Sequence, residues 1–322
     1  MNLSERDRGI LSQIHLRADL PISQLATLAG CQPHSVRRTI ASYHTRGVLS
    51  EYALINPYAL GLFEYSIYFS CSGGRARDKF LQALINSERV LQVMELGGEF
   101  SFGASLLHRD PWSAAQLLTD LCNQTGVSLL RKTHGVYLEY TQFRRRYLDA
   151  TKSGLTSLTT KRPENRITID ELDHQLLKAI AASPRASISE LSRMARAPAS
   201  TLEYRMKKLQ AAEVYNGTIF QLETSRIGIQ VVWLLIAVKS FGAASADKVL
   251  HFCSTHPRVT SLVKALGTWD FEVSIEVNNL SDVPEITREL ENQLGGDLVD
   301  LRVAPCLSVL KWCMYPFRNT MP

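Results

Sequence analysis

Among 322 residues no apolar run approaches the roughly 18 needed to cross a bilayer; the longest, 231–238, ends after eight. The opening Met1-Asn-Leu-Ser-Glu-Arg-Asp7 carries no apolar secretory region, so the expected setting is cytoplasmic and away from membranes. Six cysteines form no C-x-x-C pair, and a chain this long needs no disulfide staples, so free thiols are expected. Eight histidines are scattered, and His251 with His256 fits no zinc-binding spacing. Gly73-Gly74, Gly97-Gly98 and Gly295-Gly296 lack both the lysine-serine of a phosphate loop and the spacing of a dinucleotide fingerprint. The pattern S-x-x-K occurs three times, at 245–248, 261–264 and 308–311, which marks it as chance. No catalytic residue, metal or cofactor is therefore assigned. Charge of one sign is also scarce: 36 Lys+Arg against 31 Asp+Glu leave a net +5, which permits a nucleic-acid partner without demanding one.

What the chain does have is self-similarity. Leu3-Ser-Glu-Arg-Asp7 echoes Ile169-Asp-Glu-Leu-Asp173, and Ile22-Ser-Gln-Leu25 echoes Ile188-Ser-Glu-Leu191, both at an offset of 166 (169 − 3 and 188 − 22). The shift carries Val36, Ile40 and Tyr43 onto Leu202, Met206 and Leu209, one face of a helix in each half. Further along the offset drifts to 169, where Gly98-Glu-Phe-Ser-Phe102 meets Gly267-Thr-Trp-Asp-Phe271. Between the halves, Thr151 to Pro163 is rich in Ser, Thr, Lys and Gly and lacks periodicity, so 151–167 reads as an exposed linker.

Each half opens with three short amphipathic helices. Asp170 caps the first of the second half, with Leu172, Leu176, Leu177 and Ile180 inward; Ser4 with Ile10, Leu11 and Ile14 repeats the design. The breaks Ala195-Arg-Ala-Pro198 and Ala29-Gly-Cys-Gln-Pro33 are short enough to hold the second and third helices at a steep angle, a helix-turn-helix spacing. In that arrangement the third helix enters the DNA major groove, so its outward residues must be polar or cationic. The outward candidates are His34, Ser35, Arg37, Arg38 and Arg46 in the first half, with His44 beside them, and Ser200, Thr201, Tyr204, Arg205, Lys207 and Lys208 in the second. A solvated helix face is the competing reading; the recurrence of basic residues on the same helix of both halves favours DNA.

The remainder of each half alternates strands and helices. In the second, strands are expected at 231–240, 259–266, 270–277 and 298–311 and helices at 245–255 and 282–294, the β-α-β-β-α-β order of a ferredoxin-like fold. Phe271, Val273, Ile275 and Val277 alternate on one face, as do Phe102, Ala104 and Leu106. The opposite face, read as apolar, would be covered by the other half. The basic tract Phe143-Arg-Arg-Arg-Tyr147 reads as a solvated end of the first sandwich, with auxiliary DNA contact as a lesser reading.

The order helix-turn-helix, short strand, β-α-β-β-α-β, with Ile169-Asp-Glu-Leu-Asp173, Ser200 to Leu209 and Gly267-Thr-Trp-Asp-Phe271, resembles the Lrp/AsnC (feast/famine) transcriptional regulators over nearly the whole chain, twice. The resemblance implies an α+β chain: two tandem copies of a winged helix-turn-helix domain followed by a ferredoxin-like (RAM-type) domain. The expected boundaries are 1–50, 51–150, a linker 151–167, 168–217 and 218–322. It further implies a regulator of double-stranded DNA, homo-oligomers, and an amino-acid effector near the glycine-aspartate turn, which carries over to Gly267, Thr268, Trp269 and Asp270. The first half departs with Ser101 in place of the aspartate. An enzyme on a similar scaffold, the siroheme decarboxylases of haem biosynthesis, is the alternative, and a partner protein acting through mixed oligomers is a third reading.

Overall fold

The computed structural model describes residues 3–149, 156–164, 167–240, 242–319 and 321–322. The first helical head comprises α1 (Glu5–Ile14), α2 (Ile22–Ala29) and α3 (Pro33–Thr45). Strand β1 (Leu49–Ile55) follows, then β2 (Phe63–Cys71), α4 (Arg75–Asn86), β3 (Val90–Leu96), β4 (Phe102–His108), α5 (Pro111–Thr125) and β5 (Leu129–Phe143). After β6 (Ser157–Lys161) the series repeats: α6 (Glu171–Ala182), α7 (Ile188–Ala195), α8 (Ala199–Ala211), β7 (Tyr215–Leu222), β8 (Gln230–Val238), α9 (Ala243–Thr255), β9 (Val259–Gly267), β10 (Phe271–Val277), α10 (Val283–Leu294) and β11 (Leu298–Trp312). Among the described residues no helix is long and apolar enough to cross a membrane.

Local chemistry repeats along with the elements. Ser4 accepts from the Asp7 amide at 3.1 Å and Asp170 from the Asp173 amide at 3.0 Å, each satisfying an orphan donor at a helix start. Gly30 and Gly47, at φ 62 and 65, end α2 and α3 of the first head. The same offset places Arg196 and Glu213 at φ 54 and 55, the two non-glycine residues with left-handed backbone among those described. The second head thus adopts a conformation that costs a side-chain-bearing residue of the order of 1–2 kcal/mol.

The two four-stranded sheets do not pack as separate sandwiches. Within each half the order is the ferredoxin-like one, β5-β2-β4-β3 and β11-β8-β10-β9. The free edges then pair across the halves: β3 with β11, and β5 with β9, both antiparallel. Because β2 also pairs with β5, eight strands close into one barrel. Helices α4 and α5 cover the first half's outer face through Phe80, Leu84 and Leu121 against Phe69, Phe102, Ala104 and Leu106; α9 and α10 cover the second through Val249, Phe252, Ile286 and Leu290 against Phe271, Val273 and Ile275.

Three expectations are corrected here. The inward face is only partly apolar: beside Tyr68, Leu96, Trp233 and Trp269, strand alternation turns Glu272, Ser274 and Glu276 of β10, and Ser66 of β2, away from the helices and into the barrel. Within the supposed linker, 151–155 and 165–166 lie outside the described residues, but Ser157–Lys161 is a strand. It pairs with β5 at 139–143, where β2 has ended, and Thr141 meets Thr159 at 3.0 Å. The tract Phe143 to Tyr147 is not solvated. Arg145 is 1% exposed and binds Glu276 through Nε (3.1 and 2.9 Å) and Nη2 (2.9 Å), while Arg146 donates to the Cys253 and His256 carbonyls at 2.8 and 2.7 Å, closing the end of α9. These arginines fasten the first half to the second.

The heads are exchanged between halves. A two-stranded antiparallel ribbon of β1 and β7 joins them. The first head packs on Phe220, Leu222, Ile227 and Ile229 of the second half, and the second head on Ala53, Ile55, Leu60 and Leu62 of the first. Neither helical core is complete without the other half.

A buried charge whose partner is removed is expensive, whereas an apolar replacement of both is not. Arg145→Met alone is expected to cost about 3–5 kcal/mol, and Arg145→Met with Glu276→Leu clearly less. Equal losses in denaturant melts of the single and double variants would contradict the ion pair's role.

Candidate nucleic-acid interface, effector turn and barrel interior

In the second head α8 buries Leu202 and Leu209 and turns Ser200, Tyr204 and Lys207 outward. Tyr204 is 69% exposed, unusual for a large aromatic ring with a polar tip and suited to a groove contact. Thr201 is half-buried. Arg205 departs from expectation: it bridges back to Asp170 and to Asp173 Oδ1 (3.1 Å), so it braces α8 on α6. Lys208 lies 3.6 Å from Asp173 while staying exposed.

In the first head α3 buries Val36, Ile40 and Tyr43 and exposes His34, Arg37, Arg38 and Arg46. Ser35 is a further correction. It is 3% exposed and receives the Arg6 guanidinium, because at its angle on the helix it faces α1. His44 is also engaged, its Nε2 lying 2.7 Å from Glu51 on β1. The brace that Arg205 makes by charge is made here by neutral groups: Thr39 and Tyr43 donate to Asp7 at 2.8 and 3.1 Å. Thr39 stands 166 before Arg205 and Asp7 stands 166 before Asp173. That correspondence was the available signal that Arg205 serves the fold.

At the expected effector turn, each of the four residues has a structural setting of its own. Gly267, at the end of β9, lies opposite Gly135 of β5; a Cβ there would sit 2.5 Å from the His134 carbonyl oxygen and 2.7 Å from Gly135 Cα. Trp269 is buried inside the barrel, edge-on to Tyr68 at 5.2 Å. Asp270 accepts from the Val238 amide at 2.8 Å, a strand-end tie. Only Thr268 joins Gly267 at the surface.

The alternation of β10, with Phe-Glu-Val-Ser-Ile-Glu-Val, held a signal that the apolar pattern obscured: its second face is acidic. Inside the barrel is a cavity of about 170 Å³ lined by Tyr58, Glu64, Tyr137, Trp233, Glu272 and Glu276 among others. Glu276 is held by Arg145 and by the Tyr147 hydroxyl. Glu272 accepts from Tyr137 at 2.6 Å, and Tyr137 also reaches Ser66 at 3.0 Å. Burial pushes Glu272 up to about 7, against the pull of the Tyr137 and Tyr68 hydroxyls. Burial likewise lifts Glu64 to about 7, with Ser105 opposing and the charge of Glu272 adding to the rise.

Residues 169–214 match the winged helix-turn-helix DNA-binding family. The HTH-type transcriptional regulator FL11 of Pyrococcus horikoshii is 22% identical over 119 residues, 37% of this chain and 77% of the relative. An uncharacterised HTH-type transcriptional regulator of the same organism is 24% identical over 147 residues, 46% of this chain and 91% of that one. By sequence, then, the chain is similar over part of its length to HTH-type transcriptional regulators. Among solved structures, the siroheme decarboxylase NirDL overlays 96% of this chain and 93% of its own at TM-score 0.61 and 11% identity, a likeness of fold.

Two carboxyls whose folded pKa exceeds the unfolded value bind protons preferentially in the folded state. Stability from this source is full below about pH 4.5 and is lost as pH rises towards 7. Glu64→Gln with Glu272→Gln should flatten that slope and raise Tm at pH 8; an unchanged slope in thermal melts would count against the buried pair. Gly267→Ala should lower stability by about 1–3 kcal/mol through overpacking, measurable by the same melts.

Proposed function

We propose that the chain is a DNA-binding transcriptional regulator of the Lrp/AsnC type. On this reading it is a covalent pseudo-dimer, made by tandem duplication, whose two reading heads differ. The observation that carries the reading is the third helix of each head, with its apolar stripe inward and Arg37 and Arg38, or Tyr204 and Lys207, outward. The family match on 169–214 supports it for the second head. Ser200, Thr201 and Tyr204 lie towards the groove-entering end of α8 and would meet base edges, while Lys207 and Lys208 would meet phosphates. Because the heads differ, the preferred duplex has unequal half-sites about one helical turn, or a multiple, apart.

A second reading, a siroheme decarboxylase-like enzyme, is favoured by the overlay along nearly the full chain. The barrel interior speaks against it. A tetrapyrrole rich in carboxylates, were it seated there, would meet Glu64, Glu272 and Glu276, and the one lining cation among the described residues, Arg145, is bound to Glu276.

Selection of bound genomic fragments followed by salt titration tests the regulator. Lys207→Gln with Lys208→Gln should weaken binding across sequences and reduce the slope of log affinity against log salt by about 2. Tyr204→Ala should alter sequence preference at one half-site. Protein that stays off duplex DNA at low salt, or that binds a symmetric palindrome with equal tolerance in both halves, would overturn the reading. A Soret shift with product formation on adding siroheme would establish the enzyme instead.

A further inference from the structure

We propose that the barrel interior is a binding site for a small organic monocation, an alkylammonium or quaternary amine, reached past the β1–β7 ribbon. The geometry begins with enclosure. Glu64 is surrounded by protein yet keeps accessible surface as part of the cavity wall, as Tyr140 does. At the outer end the cavity is bounded by Ser50 and Glu223, both exposed and on or beside the ribbon, which gives a way in. A volume of about 170 Å³ is about ten times the ~10–15 Å³ that holds one water, enough for a short amine.

The lining chemistry selects the charge. Arg145 and Tyr147 satisfy Glu276, but Glu64 and Glu272 share the interior without a cation. The Tyr58 hydroxyl, on a residue 4% exposed and on the same wall, makes no hydrogen bond and offers an oxygen to an N–H donor. Tyr137, Tyr140 and Trp233 supply aromatic faces, which attract a cation once it is desolvated. A monocation entering here relieves the repulsion between the two glutamates and gains a ring of acceptors. An anion of the same size meets the opposite field.

Trp233 and Trp312 line the cavity, so their fluorescence reports occupancy without DNA, and the result stands apart from the DNA-binding reading. The probes are butylammonium and choline at pH 8, above the value of about 7 to which burial lifts both glutamates, with butyrate and butanol as charge controls at constant ionic strength. Saturable change with butylammonium or choline, absent with butyrate and at least tenfold weaker with butanol, is expected. In Glu64→Gln with Glu272→Gln the apparent Kd should rise at least tenfold while the melt stays cooperative. No saturation by either cation, or equal response to butyrate, would overturn the site; the charge series on the unaltered chain decides this even if the double variant fails to fold.

Discussion

Everything in this molecule depends on two strand edges finding partners in the other half of the same chain. β3 pairs with β11 and β5 with β9, and each pairing converts a sheet edge into an interior ladder. An open ferredoxin-like sheet covered by helices on one side would leave its second face to water. Closure instead encloses that face, which is why it can carry Tyr68, Trp269 and Phe100 in one layer and three glutamates in another.

Enclosure raises the stakes for each polar group. The Arg145–Glu276 pair lies at the junction of β5 with the second half, where a lone charge would have no solvent to turn to. The exchange of heads across the ribbon compounds the dependence, since Phe220 completes the first helical core and Ile55 the second. Barrel, ribbon and heads therefore form one mechanical unit, in which a change at the barrel wall has a short covalent route, through Ser50 to Ile55 or through Gln221 to Thr224, to the third helix of a head.

Much of this was legible in the residues. The 166-residue echo located both heads, and period-two alternation in Phe271 to Val277 located the helix-covered face. What failed did so for identifiable reasons. The tract from Phe143 to Tyr147 misled because three consecutive arginines look solvated until their partners are known. Arg145 meets Glu276 and Arg146 meets the end of α9, each across more than a hundred positions of chain. Ser35 was placed outward by composition, whereas its angle on α3 points it at α1. Long-range partners are what a single sequence does not display.

The closed barrel also bears on inheritance of partners. Proteins assembled from separate protomers through sheet edges can trade subunits with their relatives, because every dissociation frees an adhesive rim. Here both rims are tethered within one polypeptide at high effective concentration. Mixed species with other chains are thereby suppressed at this joint, and the ratio of the two dissimilar heads is fixed at translation.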